Sequence, residues 1–353
     1  MKIVFVQSYP IYHDNLSDEA WLRLENRDKW MPALTAKAGV EVELWAVGAT
    51  RQDVTYELEG STITIRLFKS TTKGKRTKFH YSDDLVSFAI ENPADHYVIK
   101  GVDGGVGVRL IKNYLRPSAT GFSFIIGGKC ESPFHKNATI IFYESDRQFE
   151  HITSKKWGIL PGISPEKLVK LPKSVDTKLF NVPDPDLKSY DLITIGRLIP
   201  YYKNYSSLIC LADEYKIAVI GGGPLLDEFR VKYPKIDWLG HIPYNEVPVY
   251  LKRAKMLFYP SIRDFFPRAI SEAVSTGLPI AAFNISISKD VVRPEFGILL
   301  SRMNYRDELR NLLAQTERLQ KMGLSAREYA TKNWHKHSTE PAIQELLIRI
   351  KQD

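Results

Sequence analysis

Apolar residues fall in short runs along the whole chain, separated by polar and amphipathic stretches. The first run, KIVFVQ, predicts a buried strand. A polar segment follows, then a helical pattern that carries Trp21, Leu24, Trp30 and Leu34. VEVELWAV and ITIRLF predict further strands. HYVIKG runs into a glycine-rich turn, Gly101 to Gly107, ahead of a helix through Leu110 and Tyr114. FSFIIGG and ATIIFYES are short apolar strands. Strands alternating with helices in this way predict parallel sheets with helical crossovers.

The pattern breaks between Lys170 and Asp191, where prolines gather and no period holds. That stretch is expected to link two domains. Beyond it the alternation restarts: DLITIGRL, a helix from Ser206, KIAVIGGG, a helix through Leu225 and Phe229, DWLG, a helix from Glu246 to Arg253, MLFYP, a helix from Arg268, PIAAF and GILL. From Arg306 onward the spacing predicts two or three amphipathic helices, the last of which can return to the first domain. The expected class is α/β, with domains at 1–175 and 190–330 and a terminal helical segment at 331–353.

Composition narrows the function classes. At 353 residues, 44% hydrophobic and 25% charged, the chain fits two α/β domains of a soluble protein. No apolar run is long enough for a membrane span, and the N-terminal run is too short for a signal peptide. Cys130 and Cys210 are the only cysteines, which points to a reducing, cytoplasmic setting. The net charge of +8 includes basic clusters at Lys69, Lys73, Lys75, Arg76 and Lys78, at Lys155 and Lys156, and at Lys167, Lys170 and Lys173. Such clusters are either solvated surface or an attraction for anions, including the inner face of a membrane.

Candidate chemistry collects in loops that follow strands, where parallel sheets bind ligands. Arg197 and Lys203 lie just past DLITI, and two cations there can clamp a diphosphate. Gly221, Gly222 and Gly223 end one strand and open a helix; they suit either close approach to a phosphate or a tight turn. In PSIRDFFPRAISEAVSTGLP, Pro267 suits a helix start, and the N–H groups of Arg268 and Ala269 would then face a phosphate. Asp264 precedes that helix and can meet sugar hydroxyls. Glu272 lies a turn inside it, among Ala269, Ile270, Ala273 and Val274, where a carboxylate needs a partner to offset desolvation.

Taken in order, these segments resemble glycosyltransferase family 4, the retaining nucleotide-sugar transferases of the GT-B fold. SPEKLVKLPKSVDTKLF is similar to the segment leading into the family's Asn-Gly-Val-Asp turn, with Lys173-Ser174 in place of Asn-Gly. GRLIPYYKN resembles the Gly-Arg-Leu...Lys phosphate clamp with one extra residue, and IGGGPL resembles Gly-Asp-Gly-Pro-Leu. WLGHIPYNEVPVYLKRAKMLFYPS is similar to the stretch that holds the base, and DFFPRAISEAVSTGLPI to the Glu-x7-Glu element with Asp264 for the first glutamate. The resemblance implies two facing Rossmann-like domains with a cleft between them. It implies that Arg197 and Lys203 neutralise the donor diphosphate, that Asp264 binds the donor sugar and that Glu272 holds the ribose. Backbone near His241 and Ile242 would face the base, and Phe266, Pro267, Arg268 and Ala269 would line the phosphate site. Asp264 reaches one methylene less far than glutamate, and Pro267 stands where many members carry glycine.

The first half follows the family less closely. The loop QSYPIYHDN lacks the paired glycines, and Gly127, Gly128 and Lys129 stand where a histidine often occurs. Tyr12, His13, Asp14 and Lys129 are the acceptor-side candidates. Asp184-Pro185-Asp186 has an Asp-x-Asp spacing but sits in the expected linker, and two cations with a helix N-terminus can carry the leaving-group charge without a metal. The expectation is a hexosyltransferase of polysaccharide or glycolipid assembly. It needs no cofactor, uses a UDP- or GDP-sugar and acts on a glycan or glycolipid acceptor. The alternatives are a sugar transferase acting on DNA bases, favoured only by the positive charge, and a non-catalytic sugar-nucleotide-binding relative. Nucleic acid is not the expected partner, because no dedicated binding motif occurs.

Overall fold

In the computed structural model, described over residues 1–7, 17–25, 27–72, 79–127, 130–154, 162–185, 188–264 and 266–352, the apolar runs become the strands of two sheets. Two units result: Met1–Leu171 with Thr339–Asp353, and Pro172–Ser338.

In the first unit, among the described residues, eight strands run β1 (Lys2–Gln7), β2 (Glu41–Gly48), β3 (Gln52–Leu58), β4 (Ser61–Lys69), β5 (His96–Lys100), β6 (Gly121–Ile125), β7 (Ile141–Tyr143) and β8 (Leu168–Lys170). Their order is β3-β4-β2-β1-β5-β6-β7-β8. β1 is central and parallel to both neighbours, with Phe5 opposite Leu44 on one side and Val98 on the other. Parallel pairing holds everywhere except at β3, which is antiparallel to β4. The expectation of a wholly parallel sheet is corrected there. QDVTYEL alternates half-buried and exposed positions and turns back at Glu59-Gly60, both with positive φ (56° and 72°). Two such residues form the tight hairpin turn that matches strand twist.

A second correction falls on the helix expected through Trp21 to Leu34. It is two helices, Asp18–Arg23 and Arg27–Lys37, because Leu24 is extended (ψ 116°). The Lys29 ammonium, fully buried, donates to the carbonyls of Trp21, Leu22 and Leu24 at 2.7, 2.9 and 2.5 Å, satisfying carbonyls at the end of the first helix. Burial draws its pKa down to about 7, against the opposing charges of Asp28 and Glu25.

The second unit's described sheet has six strands: β9 (Tyr190–Ile195), β10 (Ile217–Ile220), β11 (Ile236–Gly240), β12 (Ala254–Tyr259), β13 (Ile280–Phe283) and β14 (Gly297–Leu300). The order is β11-β10-β9-β12-β13-β14, and every pairing is parallel. Alternate side chains feed a core on either face. Ile193, Leu257 and Ala282 pack with Ile270, Val274 and Phe296, while Leu192, Phe258 and Ala281 pack with Leu208, Leu309 and Met322. Residues expected as linker are part of this unit: Val175 and Phe180 are buried in its core, and the Val175 N–H donates to the Trp334 carbonyl at 2.7 Å. The helix Thr316–Asn333 also stays here through Met322, Ala326 and Ala330. The chain rejoins the first unit at Thr339, where Ala342, Ile343 and Leu346 of the helix Glu340–Ile350 share a core with Ile3, Trp21 and Met31.

Candidate active site

In the second sheet β9 is followed by β10 on one side, while β12 lies on its other side. The strand order therefore reverses between β9 and β12. Loops at the carboxyl ends of strands beside such a reversal are where open α/β sheets take ligands. Arg197 and Lys203 follow β9, Gly221 and Gly223 follow β10, His241 and Ile242 follow β11, and Asp264 follows β12. The sequence candidates of this half thus come together at the carboxyl end of four adjacent strands.

Lys203 and Asp264 meet across the reversal, Nζ to Oδ2 at 3.0 Å, with side chains 21% and 22% exposed. The two loops are also tied through the backbone. The Tyr202 carbonyl accepts from the Ile262 N–H at 3.0 Å and from Ser261 Oγ at 3.1 Å. The Arg263 guanidinium lies 5.3 Å from the Tyr202 ring. The β9 loop is wound tightly: Tyr201 and Asn204 both take positive φ (74° and 48°), an arrangement held by these ties.

Gly221 and Gly223 have a steric task of their own. Their φ values are 141° and 149°, and a Cβ would lie 2.0 Å from the Gly196 carbonyl oxygen and 2.5 Å from that of Leu198. Only glycine lets the β10 loop sit against the backbone that carries Arg197, where the Leu198 N–H donates to the Gly222 carbonyl at 2.9 Å. Arg197 itself is exposed, and its carbonyl accepts from the buried Tyr205 hydroxyl at 3.3 Å.

After β12 the chain enters the helix Arg268–Ser275 with Pro267 as N-cap, so no cap side chain occupies its first N–H groups. Arg268 is exposed, Ala269 is buried, and Glu272 is buried at 7% exposure one turn in. Phe266 is half-buried and packs at 75° to Trp334. The Lys173 Nζ lies 5.3 Å from its ring, on a buried side chain. His241 is exposed and Ile242 packs on the core. The acceptor-side candidates Tyr12, His13, Asp14 and Lys129 lie outside the described residues, as does Asp186. The Asp184 carboxylate is held by Lys188 at 2.6 Å and Lys252 at 3.0 Å.

Tyr259 is the site residue that sequence reasoning passes over. Placed last in β12 and 1% exposed, it donates its hydroxyl to Asp264 Oδ2, the oxygen that also receives Lys203. Burial first, and then the Asp264 charge, push the phenol well above its ordinary pKa, so it remains a donor. Its only sequence signal is a polar tip closing the apolar run AKMLFY.

Residues 175–333 match the family model for glycosyl transferases group 1. A UDP-Gal:alpha-D-GlcNAc-diphosphoundecaprenol alpha-1,3-galactosyltransferase of Escherichia coli is 27% identical over 179 residues, covering 43% of this chain and 46% of that one. A phosphatidylinositol N-acetylglucosaminyltransferase polypeptide of Arabidopsis thaliana is 30% identical over 164 residues, covering 42% and 36%. The chain thus spans less than half the length of these relatives. Among solved structures, a sucrose-phosphate synthase from Thermosynechococcus elongatus superposes with a TM-score of 0.75 at 14% identity, covering 100% of this chain and 99% of that one. Anabaena HepE, solved in complex with UDP, gives 0.69 at 13% identity, covering 98% and 99%. At such identities these two likenesses concern the fold, and they agree with the two parallel-sheet units seen here. Within the second of those units, residues 175–333 are thus similar to the glycosyl transferases group 1.

Proposed function

We propose that this protein is a retaining glycosyltransferase. It moves a hexose-like sugar from a nucleotide-diphosphate donor, a UDP- or GDP-sugar, to a hydroxyl of a glycan or glycolipid. The observation that carries the reading is the Lys203–Asp264 contact across the β9/β12 reversal, inside the segment that matches the family. The two curated relatives above, one named for a diphosphoundecaprenol-linked sugar and one for phosphatidylinositol, favour a lipid-linked acceptor and a role in glycan or glycolipid assembly.

In this reading the diphosphate meets Arg197, Lys203 and the first N–H groups of the helix Arg268–Ser275, where an anion is favoured by the helix dipole. Asp264 accepts from the sugar hydroxyls and Glu272 from the ribose. The backbone past Gly221 and Gly223 and that of His241 and Ile242 border the nucleoside. The bond between the anomeric carbon and the diphosphate oxygen breaks. The acceptor oxygen attacks from the same face, and its proton passes to the departing phosphate. Catalysis is then positioning and charge stabilisation of an oxocarbenium-like transition state, with the two cations carrying the leaving-group charge in place of a metal. Among the described residues no helix is long and apolar enough to cross a membrane. A lipid-linked acceptor would then be met at the membrane surface, with the basic clusters drawing the protein to anionic headgroups.

The test is release of free nucleotide from UDP-glucose, UDP-galactose, UDP-N-acetylglucosamine and GDP-mannose. The native protein releases UDP or GDP from at least one. Arg197→Ala and Glu272→Ala each lower that rate by 100-fold or more, about 3 kcal/mol of transition-state stabilisation, while unfolding as native. Unchanged rates in both variants would refute the proposal.

A further inference from the structure

We infer that Tyr259 is a positioning residue for the donor sugar, its hydroxyl fixing the shorter carboxylate of Asp264 where the sugar is read. The inference rests on the proposed function and adds to it the device that holds the sugar-reading group.

The Tyr259 ring lies in the core with Leu257, Ile270 and Phe180, and its neighbour Phe258 is buried as well. Phenylalanine would satisfy that packing. A buried phenol needs partners for its hydroxyl, and here they are not backbone but the Ser261 hydroxyl and, as acceptor, a partly exposed carboxylate at the carboxyl end of the sheet. Asp264 Oδ2 therefore takes one hydrogen bond from the floor of the loop and one from Lys203, whose Nζ also lies 5.6 Å from the Tyr259 ring. Rotating the carboxylate breaks both bonds together. With the backbone ties from Tyr202 to Ser261 and Ile262, side chain and loop are held in a single orientation before any ligand arrives. Charge-assisted bonds to a carboxylate are strong and directional. An aspartate reaches less far than a glutamate, so its placement tolerates less error. A hydroxyl fixed on a strand end supplies that accuracy.

The experiment compares native protein with Tyr259→Phe, Asp264→Glu and the double variant. It measures calorimetric affinity for UDP and for UDP-glucose and UDP-galactose, with steady-state UDP release. A positioning role predicts that Tyr259→Phe keeps UDP affinity within about twofold. It loses roughly tenfold or more in affinity or kcat for the UDP-sugar the native protein turns over. Asp264→Glu is impaired beside Tyr259, where the longer acid collides with the phenol, and recovers in the double variant once the hydroxyl is gone. Equal losses for UDP and UDP-sugar in Tyr259→Phe, native behaviour of that variant, or no recovery in the double variant would each overturn the inference. Where the donor turned over is UDP-N-acetylglucosamine or GDP-mannose, that sugar and its free nucleotide take the place of the pair above. A native protein that turns over none of the four donors removes the proposed function itself, which is a separate result.

Discussion

Glu43 shows how much a single polar residue decides in the first unit. It lies on β2 at 4% exposure and takes hydrogen bonds from Arg66 Nε and Trp45 Nε1, both at 2.6 Å, with the Lys2 ammonium at 2.9 Å. Burial works to raise its pKa, but the bonds from Arg66, Trp45 and Lys2 outweigh it and hold the acid at about 2. The folded pKa lies below the ordinary 4.5, so the unfolded chain binds the proton first. The stabilisation is complete above about pH 4.5 and is lost as pH falls toward 2. Glu43→Gln is expected to lower stability by on the order of 3 kcal/mol at pH 7, because a neutral amide replaces the carboxylate that accepts charge-assisted bonds from Arg66 and Lys2, although Arg66 keeps Asp53. It should also flatten the acid limb between pH 4.5 and 2. Urea titrations of both proteins across that range check it. In the second unit, Lys203 and Asp264 are legible from residue type and distance past a strand. Tyr259 is not, because a tyrosine that closes an apolar strand reads as core until the loop is folded over it.

Elements with a clear period are readable, and junctions are not. KIVFVQ, KIAVIGGG and AKMLFY all become strands, and RAISEAVS becomes the helix after β12. The break at Leu24 escapes the pattern, because a lysine five residues on satisfies the freed carbonyls through space. The β3–β4 hairpin hides behind Glu59, a weaker turn signal than asparagine or aspartate before glycine. The glycines after β10 are ambiguous in sequence between phosphate approach and tight packing, and the folded chain shows the packing directly. Gly221→Ala therefore places a methyl 2.0 Å from the Gly196 carbonyl oxygen at a φ of 141°. It is expected to destabilise the second unit by about 3 kcal/mol or more. A lowered melting transition by circular dichroism checks it. Gly222→Ala, where a Cβ meets nothing within 4 Å, is the matched control.

On the scale of the whole chain, two α/β units were legible from alternation alone, but strand order was not. Local periodicity says nothing about which strand lies beside which, and the site depends on the reversal beside β9. The return of the last helix was readable only as an option, since any amphipathic helix can cover several apolar faces. Its cover is specific here: Ala342, Ile343 and Leu346 fill the first unit's core. Ending the chain at Ser338 is expected to remove roughly 5 kcal/mol of burial from that unit, leaving the second unit's contiguous stretch whole. Limited proteolysis should then degrade Met1–Leu171 and spare Pro172–Ser338. The divided first unit also sets an order of events on the ribosome. Its opening segment emerges first, yet it waits for Thr339 onward before its apolar face is closed. The intervening unit is complete earlier. At ~5–20 residues per second the delay is on the order of ten seconds or more, an interval in which the nascent N-terminal sheet is a natural client for a chaperone.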